Sequence, residues 1–230
     1  MSNLLDFFAS PTKNSWDEDV FQLTTAGILT VVILILALIA IALFIRSHEE
    51  SQKISTKQLV FSAAAMALGI VTSMIKFLNL PMGGSITLFS MLFIVLIGYW
   101  YGPRVGIMTA VAYGLLQFVL EPVFYSIPQM IVDYPLAFGA LGLSGFFQNS
   151  KHGLIKGYIA GVLGRYVFAF LSGLLFFAAY AEGSGMSAAI YSLAYNGSYL
   201  LTEGIITLIL ISIPAVNNAL KHIKKIACEP

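Results

Sequence analysis

Residues 24–45 read TTAGILTVVILILALIAIALFI, a run without a single ionisable side chain. About 20 consecutive apolar residues are what an α-helix needs to cross the hydrocarbon of a bilayer, where a helix satisfies every backbone group within its own segment. The rest of the chain has the same character. Of 230 residues, 58% are hydrophobic and 10% charged, and the mean hydropathy is +0.87; a soluble domain is roughly a quarter charged. A water-soluble fold of this length could not hide so much apolar surface. The first run does not read as a signal peptide. It exceeds the usual h-region, acidic Asp17, Glu18 and Asp19 precede it, and no A-x-A-like cleavage site follows.

Apolar runs between breakers predict seven helices: Thr24 to Ile45, Gln58 to Leu78, Ile86 to Tyr101, Val105 to Leu120, Gln129 to Phe147, Ile155 to Ala181, and Ala189 to Ile213. Pro81-Met82-Gly83-Gly84, Gly102-Pro103, Glu121-Pro122 and Gly183-Ser184-Gly185 punctuate them. The expected fold class is therefore an all-α, polytopic transmembrane helix bundle. With the amino terminus outside, Arg46, Lys53, Lys57, Arg104, Lys151, Lys156, Lys221, Lys224 and Lys225 share one side, and only Lys13 and Lys76 the other. Positive residues are retained in the cytoplasm, so the carboxy terminus is expected inside, in a cell membrane. The predicted organisation is an extracellular segment over 1–23, an additional transmembrane helix over 24–45 and a cytoplasmic linker over 46–57. A six-helix membrane domain over 58–221 and a cytoplasmic tail over 222–230 complete it. Loops near Met82, Glu121 to Pro128 and Glu182 to Ser187 then face outward, where an external ligand enters.

Several classes fall away. A net charge of +1, with its Lys and Arg in short scattered clusters, gives no nucleic-acid groove. The single Cys228 permits no disulfide within the chain, and His48, His152 and His222 all lie in hydrophilic connections, so no metal or other cofactor is expected. Nor is an enzyme: the spans hold no His, no Cys nucleophile and no carboxylates paired at close helical spacing.

Ionisable residues inside spans are costly and face a cavity or a partner. Asp133, Arg165 and Glu203 are the candidates. Gln129 precedes Asp133 by four residues, which puts carboxylate and amide on one face. Arg165 reads either as a structural ion pair or snorkelling guanidinium, or as a ligand contact. Asn196, Tyr199 and Glu203 form one stripe that should face protein; interhelical hydrogen bonding is the plainer account of the last two, while Tyr191 and Asn196 near the outer end suit either a ligand or a neighbouring helix. Phe124, Tyr125, Phe176, Phe177 and Tyr180 fit an interfacial belt or the aromatic walls of a site. A carboxylate, several aromatic faces and a few amides would suit a flat organic cation. Ser62, Ala63, Ala64, Ala65, Ala67 and Gly69 give the second span a smooth side, with Ala63 and Ala67 at small-xxx-small spacing for intrachain packing or a partner helix.

The strings Met82-Gly83-Gly84-Ser85-Ile86-Thr87-Leu88, Tyr101-Gly102-Pro103-Arg104-Val105-Gly106, Val132-Asp133-Tyr134-Pro135-Leu136-Ala137-Phe138, Gly164-Arg165-Tyr166 and Tyr191-Ser192-Leu193-Ala194-Tyr195-Asn196, in this order and spacing, carry a resemblance. From about Lys57 to Lys221 the chain resembles the thiamine-specific S components of energy-coupling factor (ECF) transporters, the ThiT-like family. The resemblance implies a six-helix subunit, here with one extra amino-terminal helix. It would bind thiamine or a close analogue from outside and join a transmembrane coupling protein and two ATPase subunits. The chain itself has no G-x-x-x-x-G-K-[ST] phosphate loop.

By the same resemblance, Asp133 and Tyr134 meet the thiazolium, Tyr191 and Asn196 line the pocket, Phe177 stacks on the ligand, and Ala63 and Ala67 dock the coupling subunit. Gln129 and Tyr125 complete the expected ligand set. Two positions depart from the family pattern: Ala169 stands where a pocket histidine is common, and Ile127-Pro128-Gln129 where His-Pro-x-Gln is common. The alternative function is a stand-alone, proton-coupled carrier of a small cationic heterocycle, with Asp133, Arg165 or Glu203 as the proton relay.

Overall fold

The computed structural model describes residues 9–13, 19–26, 29, 33, 54–80 and 83–229. The expected helix over Thr24 to Ile45, the linker after it, and Pro81 and Met82 lie almost entirely outside those residues. Among the described residues, strands β1 (Ala9–Lys13) and β2 (Asp19–Leu23) pair antiparallel. Six helices follow: α1 (Thr56–Ser73), α2 (Ser90–Tyr101), α3 (Pro103–Leu120), α4 (Ile127–Phe147), α5 (Gly153–Phe176) and α6 (Ala188–Ser212). All but α2 are long and apolar enough to cross a membrane. An amphipathic helix, α7 (Pro214–Cys228), closes the described chain. The all-α bundle expected from the hydropathy is present, with short hairpins added at its edges.

Each departure from the expected boundaries has a local cause. The second apolar run was expected to stay helical to Leu78. Instead α1 ends at Ser73, and Lys76–Asn79 (β3) pairs antiparallel with Ser85–Thr87 (β4). The third span, expected from Ile86, starts only at Ser90, because Ile86 is drawn into the hairpin and Phe89 takes a left-handed conformation with φ 58°. At 12 residues, α2 extends about 18 Å, short of the ~30 Å hydrocarbon. The hairpin therefore completes the crossing. Irregular backbone is tolerated at such depth only where it is buried in protein or lines a cavity, and this hairpin does the latter.

The fifth expected span is broken within. Pro135 has no N–H to give its helix, and Val132–Leu136 widens into a π-helical turn in which the Ala137 N–H reaches the Val132 carbonyl. Ala140–Phe147 then tightens to 3-10 geometry. This tight segment fits because Gly98, Gly106, Gly142 and Gly145 let α2, α3 and α4 approach backbone to backbone; a Cβ on Gly142 would overlap the Ile107 backbone. Behind the glycines sits a fully buried core of Met91, Ile94, Val95, Tyr113, Leu141 and Tyr158.

Helix α7 straps the end of the bundle that carries Tyr101 and Gln148. Tyr101 donates to the Ala227 carbonyl (3.1 Å), and Lys57 to that of Glu229 (2.6 Å). Lys224 donates to the Gln148 carbonyl (2.9 Å), with its ammonium 3.7 Å from the Tyr99 ring centre. Its mean hydropathy is too low to read as a span, but Val216, Leu220, Ile223 and Ala227 recur at helical spacing.

Gly142→Ala should lower the melting temperature of the purified protein in detergent by an amount equivalent to about 1–3 kcal/mol, the usual cost of overpacking. Gly197→Ala, whose Cβ would meet nothing closer than 3.4 Å, should leave it unchanged or raise it, since alanine is the better helix former. Equal melting temperatures for wild type and Gly142→Ala would contradict the packing described.

Candidate functional site

At the opposite end from α7, the β3–β4 hairpin, the loop after α3 and the upper turns of α4, α5 and α6 enclose a chamber of about 420 Å³. That volume lies within the usual range for small-molecule sites. Five of the seven expected ligand residues line it: Asp133, Tyr134, Phe177, Tyr191 and Asn196.

The π turn of α4 presents Asp133. Single π turns inside helices occur frequently at functional sites, and here Pro135 supplies the local cause. Gln129, one helical turn earlier and fully buried, donates through Nε2 to the Asp133 carboxylate and to the Val123 carbonyl (3.1 Å). Its Oε1 accepts from the Tyr125 N–H (3.0 Å). Every hydrogen-bonding position of this amide side chain but one lone pair is thereby used. Gln129 was expected in the wall; the structure puts it behind the wall, orienting Asp133 and tethering the 123–125 loop.

Tyr134 divides its functions. The ring is T-shaped against Phe118 at 5.0 Å and stacked on Phe138 at 6.4 Å. Its hydroxyl accepts from the Val123 N–H and donates to the Glu121 carbonyl, each at 2.8 Å. It therefore holds the loop after α3 against the chamber. Tyr125, the other expected ligand residue, is 58% exposed and lies outside the lining. Its ring meets the Phe177 edge at 5.1 Å and its hydroxyl is 2.7 Å from that of Tyr180, so it buttresses Phe177, which does face the chamber.

The α6 stripe faces protein as its pattern required. Asn196 donates through Nδ2 to the Ala169 carbonyl (3.2 Å), the Ser192 carbonyl (3.0 Å) and the Ser192 hydroxyl (3.2 Å), and its Oδ1 accepts from Tyr199 (2.8 Å). Its donors are spent on the α5–α6 seam; what it offers the chamber is the second lone pair of Oδ1. Tyr191 stacks on Tyr195 at 6.1 Å.

Two groups read mainly as structural also line the chamber. The Glu203 carboxylate accepts from the Thr87 N–H (3.0 Å), the Thr87 hydroxyl (2.7 Å) and the Ser90 hydroxyl (3.4 Å). It is the buried anchor of the re-entrant hairpin. Among the described residues the Arg165 guanidinium has no ion-pair partner, and it lies 3.9 Å from the Phe138 ring centre. Cation–π contacts contribute about 0.5–2 kcal/mol, rising as the pair is withdrawn from water. A further charged pair, Lys76 with Glu121, joins the hairpin to the end of α3. Sequence reasoning missed the lining role of the hairpin because Ile86 to Tyr101 reads as one continuous apolar run; the signal available was Glu203, a buried acid in need of donors.

On α1 the small residues divide between two faces. Ser62, Ala65 and Gly69 are buried, with Gly69 accepting Tyr113 at close range (3.1 Å from its carbonyl to the Tyr113 hydroxyl). Ala63 and Ala67 are exposed, among exposed Leu59, Val60 and Val71.

Comparison with known proteins agrees with this architecture. The thiamine transporter protein family (Thia_YuaJ) matches residues 59–223. The thiamine transporter ThiT of Bacillus subtilis is 34% identical over 166 residues, covering 66% of this chain and 84% of its own. That of Lacticaseibacillus paracasei is 30% identical over 128 residues, covering 50% and 61%. The solved structure of ThiT from Listeria monocytogenes superposes with a TM-score of 0.54 at 27% identity, covering 70% of this chain and 94% of its own. A polytopic helical bundle with this chamber, matched by the family over residues 59–223, belongs to the thiamine transporter protein family.

Proposed function

We propose that this chain is the substrate-binding S component of an ECF-type importer in the plasma membrane, taking up thiamine from outside. The observation that carries the reading is the chamber itself: the Asp133 carboxylate, held by Gln129, shares its lining with the rings of Tyr134, Phe177 and Tyr191, while the second buried carboxylate there, Glu203, is taken up by Thr87 and Ser90. Thiamine joins a permanently cationic thiazolium to a neutral aminopyrimidine. A desolvated carboxylate favours the first, and aromatic faces accept both rings by stacking and cation–π contact. The relatives' names point to the same vitamin.

Lysines and arginines gather at the α7 end, among them Lys57, Arg104, Lys151, Lys221 and Lys225. Under the positive-inside rule that end is cytoplasmic and the chamber opens outward. The chain acts as a binding subunit and not as an enzyme, with ATP hydrolysis supplied by two ATPase subunits through a transmembrane coupling protein. The exposed Ala63–Ala67 face of α1 is the docking surface for that protein, since small residues permit close helix approach in lipid.

Radiolabelled thiamine should bind the purified protein; no detectable binding at micromolar ligand would rule out thiamine as the substrate. Asp133→Asn removes one partner of a desolvated charge pair, a loss on the order of 2–5 kcal/mol, so its Kd should rise roughly thirtyfold or more with little change in secondary structure by circular dichroism. Ala67→Trp should bind thiamine with wild-type affinity but fail to co-purify with the coupling protein. Normal co-purification and uptake would show that the docking surface lies elsewhere.

A further inference from the structure

Helix α7 takes no part in the chamber, and its position needs an explanation of its own. Ile213 is extended (ψ 124°) and Pro214 opens the helix at its first position, so the chain does not simply prolong α6. From there α7 packs against α6, α2 and α1. Its bonds to Lys57, Tyr101 and Gln148 reach the start of α1, the end of α2 and the residue after α4. These all lie at one end of the bundle, so α7 lies across that end, at the level of the membrane surface opposite the chamber.

Three sectors of the helix differ in character. Val216, Leu220 and Ala227 are turned to the bundle and are buried or half-buried. Ala219, Ile223 and Ile226, spaced by four and three, form a neighbouring apolar stripe that the bundle leaves uncovered, with Ile223 39% and Ile226 47% exposed. Lys221 and Lys225, four residues apart, are exposed on the remaining side, and among the described residues neither has an ion-pair partner. Lys224, by contrast, is committed to Gln148 and Tyr99. The charge at this end is one-sided. Lys57, Arg104, Lys151 and Lys156 add to the lysines of α7, and Glu229 is the single acidic residue there among those described.

A helix with this division suits an interface: its apolar stripe enters the acyl boundary, and its lysines stay with the headgroups. Anionic lipids of the cytoplasmic leaflet attract basic residues held at that level. We infer that α7 is an interfacial anchor whose Lys221 and Lys225 bind anionic phospholipid headgroups of the cytoplasmic leaflet while Ile223 and Ile226 sit in the acyl boundary. This rests on the orientation given under the proposed function and is independent of the thiamine reading. Because α7 is fastened to α1, α2 and the residue after α4, lipid bound there also holds that end of the bundle together.

The test is amide hydrogen exchange over residues 214–228 of the full-length protein in nanodiscs of POPC alone and of POPC mixed with POPG. In wild type the exchange should slow by about tenfold or more when POPG is present, since each lysine near an anionic surface contributes about fivefold; high salt should weaken the effect. Lys221→Gln/Lys225→Gln should respond to POPG by less than about twofold while binding thiamine like wild type. Ile226→Gln should exchange faster than wild type in both lipids; glutamine is at least as good a helix former, so the change reports the lost apolar contact. Exchange in wild type that is indifferent to POPG would overturn the inference. So would a double variant that keeps the full POPG response but no longer co-purifies with the coupling protein, which would assign the lysines to a protein partner. Loss of thiamine binding by wild type would sink the functional reading and leave this readout intact.

Discussion

An ionised carboxylate inside a hydrophobic bundle is stable only if something holds and solvates it. In this chain that task falls to Gln129, whose amide is fixed by the Val123 carbonyl and the Tyr125 N–H before it reaches Asp133. The same contacts tie the loop after α3 to the start of α4, and Tyr134 fastens that loop a second time through Val123 and Glu121. The position of the negative charge and the shape of the chamber rim are therefore set by one network. Pro135 contributes the π turn that swings Asp133 and Tyr134 to the chamber. Discontinuous helices whose freed backbone lines a binding site recur in membrane transporters, and here the break is one widened turn.

The re-entrant hairpin is the second irregular element, and it depends on a second carboxylate. A 12-residue α2 cannot cross the bilayer alone, and β3 and β4 bring backbone polar groups into the apolar region. Glu203 takes the Thr87 N–H together with the Thr87 and Ser90 hydroxyls, which neutralises the cost of the hairpin and of the acid at once. Of the three intramembrane ionisable residues, Glu203 is thus occupied by structure, Asp133 is held but still lines the chamber, and Arg165 rests on an aromatic ring. This division of labour is the electrostatic basis for reading Asp133 as the cation seat.

The legible part of the fold was the part governed by hydropathy. Spans from Pro103 to Leu120 and from Ala188 to Ser212 begin and end within a residue or two of the expected positions, because Gly102-Pro103 and the Ser187 cap punctuate them. The irregular parts were hidden for a physical reason. Ile86 is as apolar as its helical neighbours, so nothing in composition separates a buried strand from a helix there. Nor does hydropathy register that Pro135 would widen a helix without ending it. At the site, Asp133, Tyr134, Phe177, Tyr191 and Asn196 were legible as chamber residues from polarity inside apolar runs and from family resemblance. Gln129 and Tyr125 share the right faces but act one layer behind, a distinction that requires the hydrogen-bond partners to be known.

The central claim is that the chamber recognises positive charge. Calorimetric comparison of thiamine with deazathiamine, its neutral isostere, tests it most directly, because shape and hydrogen-bonding groups are kept while the ring charge is removed. The account predicts that thiamine binds the wild-type protein at least roughly thirtyfold more tightly, corresponding to about 2 kcal/mol or more for a desolvated charge pair. Equal affinity for the two would mean that Asp133 is not the seat of the cation.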